Sequence, residues 1–518
     1  MTLDNTNVPE PEQNITSDTH GHLHVPQQPI IPFMQGKGSS ATLWTATQTV
    51  LDAAVNHAYA GERKIDWLDL FAGEQETPED TEIDDNFFPE RTLAALLTYQ
   101  VSMQNFFNSH DAAYHTTSQQ ESGFNITLRT AQYFADMPSP VTHPEHVDVV
   151  MFKDNAASST TGKTESLLRA ALQYALKNKR KSVTLIHSGN VDAAYAFAKA
   201  EFAAVALEDG EGYVLPDGLR IQSCHIATAF QQLFNHASDF DVVVTLGAES
   251  AYLSEMMVAQ VGGIAAIAHI NPDSAHVVFG SADAATQALN NPISLMLSGA
   301  MMLRHLAWTE ASLLVLRGIE GAIAAKTVTS ELACVMEGAV QLSTAEFGSA
   351  VVEHMTDMLE QDEESDQYDA LADKFHEFFD AGAEKTADFA HIALEKARTQ
   401  LTIAGRFTEE KGHKLKKFIE NDFAHVAQDM KVGAKEKLNP SRLGTGILAS
   451  MSKLLHVTGV ALSKVADKAD GALACKSGEI TSAGSLQCNA CAYAMNFKKT
   501  GRIPPCPKCH KTEFTKGY

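Results

Sequence analysis

The sequence contains no apolar run long enough to cross a bilayer, and no short apolar core near its start of the kind secretory leaders carry. Both absences point to a cytoplasmic protein with no membrane contact. Basic residues are also scarce: 40 Lys and Arg stand against 64 Asp and Glu, a formal charge of −24. Phosphate backbones are neutralised by clustered Lys and Arg, so general nucleic-acid binding is not expected. Cysteine is sparse and odd in number, seven in 518 residues, which does not fit a framework of paired disulfides. Four of them form two C-x-x-C pairs, the spacing of a metal site in a reducing compartment. What is present is an ordinary globular composition, 44% apolar, in a chain with room for two to four domains.

Residues 1–28 are polar, carry Pro9, Pro11 and Pro26, and read as a disordered tail. The tail's HGHLH segment offers His20, His22 and His24. Ordering three flexible imidazoles around a metal costs conformational entropy, so a solvated tail is the expectation. Further on, the β-branched runs VDVVMFK (147–153), SVTLIHS (182–188) and DVVVTLG (241–247) alternate with helical patterns over 165–178 and 192–204. That alternation predicts an α/β sheet. Between the first strand and the first helix lies ASSTTGKT (157–164), a near-Walker sequence in which Lys163 would grip a phosphate and Thr164 would bind Mg²⁺. Ala157 replaces the first glycine, and DFDVVVTL (239–246) lacks the terminal aspartate of a Walker B strand. A nucleotide switch at Lys163 is therefore an alternative reading, behind that of a shortened connection.

After Met355 the chain turns acidic and helical. EQDEESDQYD (360–369) is expected to be a solvated charged segment. Helices are predicted over 371–379, 389–401 and 408–430, the last with Leu415, Phe418, Ile419, Phe423 and Val426 at helical spacing. Thr408 before Glu409 and Glu410 reads as its N-cap, with acids in the first turn. A further helix, 447–466, carries an apolar face interrupted by Lys453 and Lys464, a packing face rather than a lipid anchor.

The most specific local motif is Cys488-x-x-Cys491 followed, after fourteen residues, by Cys506-x-x-Cys509. Two such knuckles place four thiolates around a tetrahedral Zn²⁺, and a closed Cys₄ shell leaves no open position for catalysis. Zinc here is expected to be structural, with His510 left at the surface. From Lys476 onward seven basic residues face two acidic ones. Lys498, Lys499, Arg502 and Lys508 would be a solvated surface, or else the one place where nucleic acid or an acidic protein is met.

A longer signature lies in the middle of the chain. NPISLMLSGAMMLRHLAWTEA, GIEGAIAAKTVT and EFGSAVVEHM fall between Asn291 and Met355; GERKIDWLDLFAGE (61–74), MPSPVTHPE (137–145), KSVTLIHSGN (181–190) and YLSEMMVAQVGG (252–263) precede them. Residues 29–355 thereby resemble the bacterial NADP-dependent isocitrate dehydrogenases, of the isocitrate/isopropylmalate dehydrogenase family. The resemblance implies a large domain (29–124 and 275–355) around a small one (125–274). It also implies that the subunit-interlocking clasp is missing, since Lys163 to Leu168 lead straight into the next helix. A homodimer through 252–263 is still expected.

The family's reaction uses a carboxylate-held metal, a proton-accepting base and cations on the substrate carboxylates. Aligned by the resemblance, the metal aspartates fall at Thr228, Ala251 and Glu255, of which only Glu255 can bind a hard cation. The catalytic lysine is Ser188 and its tyrosine partner Thr160. Ala113, His115 and Gln119 stand where the substrate clamp has serine, asparagine and arginine; Arg129 is kept, and Lys153 replaces the next arginine without its bidentate fork. Asn291 matches an adenine contact, while the adenosine loop is a shortened GSADAATQ (280–287) and the 2′-phosphate readers are Ser330 and Cys334. NADP and Mg²⁺ are accordingly poorly provided for.

The end of the chain, through EKARTQLTIAGRFTEEKGHKLKKFIENDF (395–423) and GEITSAGSLQCNACAYAMNF (478–497), resembles a family of small bacterial helical proteins closed by a zinc ribbon. The expected architecture is an isocitrate dehydrogenase-like α/β body without the clasp, a helical region (356–475) and a Cys₄ ribbon (476–518). Three functional readings follow. The preferred one is a catalytically silent homologue with a regulatory or partner-binding role, an unidentified protein being met through the C-terminal region; an active oxidoreductase comes second and a nucleotide switch third.

Overall fold

The structure is a computed structural model that describes residues 13–18, 23–36, 41–72, 98–105, 123–154, 161–188, 219–245, 250–272, 274, 276–280, 291–381, 387–431, 475–482, 484–497, 500–509 and 511–517. It divides into two compact units, Met1–Met355 and Thr356–Tyr518. Among the described residues no helix is long and apolar enough to cross a membrane.

The first unit opens with a short antiparallel pair, β1 (Thr16–Ser17) and β2 (Leu23–His24). The expectation of a disordered tail as far as Gln28 is corrected for these residues. Ile15 is buried, Gln28 donates to Asp66 at 2.7 Å, and Gln100 donates to Ser17 at 2.9 Å. Polar composition did not preclude order, because side-chain amides tie the segment to neighbouring strands. His24 is exposed on β2, and His20 and His22 lie outside the described residues.

Ten strands form the main sheet. They are β3 (Ile30–Gly36), β4 (Asp66–Ala72), β5 (Val101–Asn105), β6 (Ile126–Gln132), β7 (Asp148–Asp154), β8 (Ser182–His187), β9 (Arg220–His225), β10 (Val242–Thr245), β11 (Ile267–Ile270) and β12 (Val277–Phe279). Their order is β4-β3-β5-β12-β11-β6-β7-β10-β8-β9. The wings β4-β3-β5-β12 and β7-β10-β8-β9 are parallel, and the antiparallel steps β12-β11, β11-β6 and β6-β7 join them. Parallel strands covered on both faces read as unbroken apolar runs, and all four residues of β10, VVVT, are buried. The α/β class expected from the alternation is the class observed, with β7, β8 and β10 each within a residue or two of the predicted runs.

Helices cover the sheet: α1 (Ala41–Tyr59), α2 (Thr161–Lys177), α3 (Ile226–Asn235), α4 (Ser250–Ala259), α5 (Ile293–His305) and α6 (Thr309–Ala324). The predicted helix 192–204 lies outside the described residues. The signature NPISLMLSGAMML is the central helix α5, buried on nearly all sides, which explains why it is apolar around its whole circumference. Gly299 lets α1 approach it: a Cβ there would lie 2.7 Å from the Leu51 side chain. The edge of the unit carries β13 (Thr327–Thr329), α7 (Ser330–Ala333) and β14 (Val340–Leu342).

The second unit is built from the later turns of α8 (Thr344–Ala381), with α9 (Ala387–Ile403), α10 (Glu409–Lys431) and a ribbon. Here the acidic run 360–369 departs from expectation, because it lies within α8. Tyr368 is fully buried in a core with Leu371, Phe375, Leu394, Leu415 and Ile419, and Glu364 accepts from Arg502 at 2.6 Å and Lys414 at 3.1 Å. Glutamate is a good helix former, and an apolar stripe with cationic partners outweighs local charge repulsion. The predicted helix 408–430 is observed as α10, with Lys411 N donating to the Thr408 hydroxyl at 3.3 Å and Glu409 and Glu410 in the first turn. The predicted helix 447–466 lies outside the described residues. The ribbon consists of β15 (Cys475–Lys476), β16 (Ile480–Thr481), β17 (Gly484–Cys488), β18 (Ala494–Phe497), β19 (Gly501–Arg502) and β20 (Glu513–Gly517). β15-β20-β17-β18 form an antiparallel sheet, and β16 pairs with β19.

Candidate functional site

Side chains alternate across a strand, so Thr127, Arg129 and Ala131 of β6 share one face and Leu128, Thr130 and Gln132 the other. Arg129 faces α4. There its guanidinium is 2% exposed, and a buried guanidinium needs a counter-charge and hydrogen bonds. Both come from one turn of α4: Nη1 donates to Oε1 of Glu255 and, at 3.1 Å, to the Ser254 hydroxyl, while Nη2 donates to Oε2 of Glu255 at 3.3 Å. The pair is bidentate, the geometry that gives guanidinium–carboxylate contacts their strength. The sequence singled out both residues, one for a substrate and one for a metal; it held no signal that they would occupy each other.

Around this pair, Ala251 lies one helical turn before Glu255 and is exposed. A methyl side chain offers no ligand atom. Thr228 is exposed in the first turn of α3, and Ser188 is exposed just past the end of β8. Lys153 is half-buried on β7, paired in register with Thr127 and so on the same face as Arg129. Thr160, Ala113, His115 and Gln119 lie outside the described residues. Asn291 is half-buried, and its side-chain carbonyl accepts from Ile293 N at 3.0 Å, which ties off the start of α5. Cys334 is exposed and donates its thiol to the Glu331 carbonyl at 3.2 Å.

Lys163 and Thr164 belong to the first turn of α2, and the residues just before that helix, 155–160, lie outside the described ones. β7 and β10 run parallel, so a metal-holding carboxylate for this loop belongs at the C-terminal end of β10. Thr245 is there, and buried. The nearby Asp241 precedes β10 at its opposite end, where Arg180 donates to it at 2.8 Å and to Asp148 at 3.0 Å. Burial works against the Arg180 charge, but the two aspartates raise its pKa above the ordinary value. This bridge between strand ends was not read from the sequence, since it needs three residues brought together by strand order.

The four ribbon cysteines do converge. Cys488 ends β17, Cys491 follows in its turn, and Cys506 and Cys509 come from the turn before β20. Their sulfurs all lie within 4.8 Å of one another, with Cys488–Cys509 at 3.4 Å and Cys491–Cys506 at 3.6 Å. Thiolates about 2.3 Å from a tetrahedral zinc sit roughly 3.8 Å apart, so the donor set fits that ion. Burial pushes the Cys488 thiol up, but the backbone N–H groups of Ala490 and Cys491 and the neighbouring thiols outweigh it and bring it down to about 6. At Cys509 the Lys511 N–H favours the thiolate, yet burial and the three sulfurs opposite it push the thiol up to about 12. Four crowded sulfurs shed their protons together only for a cation. Cys475 packs in the same small core with Leu486, Ile503 and Phe514. Of the basic residues read as a solvated surface or else a patch, Arg502 pairs with Glu364; Lys498 and Lys499, like His510, lie outside the described residues.

Comparison with known proteins accounts for both parts. Residues 133–351 match the isocitrate/isopropylmalate dehydrogenase family, and residues 376–517 match the zinc-ribbon containing domain family. The NADP isocitrate dehydrogenase of Coxiella burnetii is 33% identical over 420 residues, covering 68% of this chain and 98% of that protein. That of Pseudomonas aeruginosa is 32% identical over 413 residues, with 67% and 98% covered. Among solved structures, the TT0538 protein of Thermus thermophilus superposes with a TM-score of 0.50 at 18% identity, over 67% of this chain and 71% of that one, a likeness of fold alone. The chain belongs to the isocitrate/isopropylmalate dehydrogenase family and ends in a zinc-ribbon containing domain.

Proposed function

We propose that the chain is a catalytically silent member of its family, a regulatory or partner-binding protein whose helical and zinc-ribbon end recruits a partner. The observation that carries this reading is the Arg129–Glu255 pair. Glu255 is the one carboxylate left at the family's metal positions, and here both of its oxygens are turned to a buried arginine. A hard divalent cation is held by several oxygen ligands, and Thr228 and Ala251 supply no carboxylate. The serine hydroxyl of Ser188 is a poor substitute for a lysine amine in carrying a proton near neutral pH. Lys153, with Arg129 once Glu255 is displaced from it, is what is left for an anionic metabolite, and Asn291 is a remnant of the cofactor site. One Zn²⁺ held by Cys488, Cys491, Cys506 and Cys509 belongs to the same reading, as a structural ion. So does a homodimer through α4, where Tyr252 is 74% exposed.

A second reading, an active isocitrate dehydrogenase-type oxidoreductase, is favoured by identity of 32–33% along nearly the whole length of NADP isocitrate dehydrogenases. Purified chain with isocitrate, NADP and Mg²⁺ or Mn²⁺ separates the two. No reduced cofactor above background is expected. Metal-dependent turnover that disappears in Glu255→Ala would overturn the proposal.

A further inference from the structure

The sheet face opposite Arg129 carries a cavity of about 370 Å³. Its floor is Leu128 of β6, Ala268 of β11 and Phe279 of β12, with Leu297 and Ala300 of α5 along one wall. The rim is of another character. Lys177 closes the last turn of α2 and Arg304 the last turn of α5, and neither has an ion-pair partner among the described residues. Arg180 also lines the cavity, but Asp148 and Asp241 hold it. The rim carboxylate Asp148 is thus already matched, leaving Lys177 and Arg304 over an apolar floor with no acidic partner among the described residues. His305 lies against Phe279, with ring centroids 5.5 Å apart, and its Nε2 is shielded from solvent with no hydrogen-bond partner. Buried polar atoms are nearly always partnered, and this exception belongs to a residue that lines the cavity.

We propose that this cavity binds an amphipathic organic anion, its apolar body on Leu128, Ala268, Phe279 and Leu297 and its carboxylate, sulfonate or phosphate group between Lys177 and Arg304. The volume suits a molecule of one or two rings or a medium-length chain. Because the cavity and the Arg129–Glu255 pair lie on opposite faces of the sheet, the site is independent of whether the chain turns over isocitrate.

The probe pair is 8-anilinonaphthalene-1-sulfonate and its uncharged analogue N-phenyl-1-naphthylamine, titrated by fluorescence into the full-length chain. One sulfonate per chain is expected, bound roughly tenfold or more tighter than the neutral analogue. Lys177→Ala with Arg304→Ala should remove that preference and leave the neutral analogue within about twofold. Ala300→Phe should block both probes; should it fail to fold, Met301→Trp at the half-buried rim serves the same purpose. Tryptophan emission and melting temperature confirm that each variant is folded. Several probes per chain, no saturable binding, equal affinity for the two probes, or sulfonate binding untouched by the double variant or by the blocking variants would overturn the proposal.

Discussion

Removing Glu255 should destabilise the first unit more than its partly exposed position suggests. In Glu255→Ala the guanidinium of Arg129, 2% exposed, keeps the Ser254 hydroxyl but loses this counter-charge. Breaking a fully buried pair costs about 3–5 kcal/mol. The Glu255 side chain is 45% exposed, so water reaches the vacated side and screens part of the loss. About 2 kcal/mol is expected. Arg129→Met removes the charge that needs a partner, leaves a carboxylate that water can reach, and fills much of the arginine's volume with a flexible thioether, for about 1.5 kcal/mol. The double variant should then cost about 2 kcal/mol rather than the sum of about 3.5, a coupling of about 1.5 kcal/mol between the two sites. Urea unfolding followed by tryptophan emission reads the right unit, because all three tryptophans, Trp44, Trp67 and Trp308, lie before Met355. A Glu255→Ala variant as stable as wild type, or a strictly additive double variant, would show that the pair does not stabilise the fold.

Three further outcomes are expected. Anaerobically purified chain should carry one zinc, and Cys488→Ser should release it while the tryptophan-reported transition of the first unit stays in place; zero metal, or loss of that transition, refutes this. Lys163→Ala should be silent in calorimetry with ATP and GTP; micromolar binding abolished by the substitution would promote the nucleotide switch instead. Burial, with Lys177 near it, lowers the His305 pKa from 6.5 to about 4. The unfolded chain therefore takes up a proton below 6.5 that the folded chain refuses. Stability from this group is complete above that value and is lost as pH falls toward about 4, by about 2 kcal/mol at pH 5. Urea midpoints at about pH 7.5 and pH 5 should show that loss in wild type and a smaller one in His305→Gln.

What the sequence made legible is what local pattern encodes. The apolar runs of β7, β8 and β10, the N-cap Thr408 ahead of α10, and the two C-x-x-C knuckles each depend on neighbours within a few residues. The features that escaped depend on strand order and on contacts far apart in the chain. Asp148, Arg180 and Asp241 form one bridge only because β7 and β10 are adjacent and parallel. The acidic run 360–369 reads as a solvated charged segment because its apolar spacing is carried by Tyr368 and continues in Leu371 and Phe375, beyond the charged block. The cavity beneath Lys177 and Arg304 draws on several separate elements, and none of them signals a cavity alone.

The Arg129–Glu255 pair also limits what the retention of a functional-looking residue can mean. By the resemblance, Arg129 falls where a substrate carboxylate would be received and Glu255 where a metal would be held. Here the two satisfy each other, so an incoming carboxylate must displace Glu255 from Arg129, and an incoming cation must draw Glu255 away from a buried guanidinium. Each exchange forfeits a bidentate contact before it gains one. A ligand that supplied anion and cation together would avoid that loss, replacing both partners at once. The informative binding experiment is therefore isocitrate with Mg²⁺ present against isocitrate or Mg²⁺ alone: binding of the pair without binding of either component would mean that Arg129 and Glu255 still exchange each other for a metal-bound hydroxy-acid.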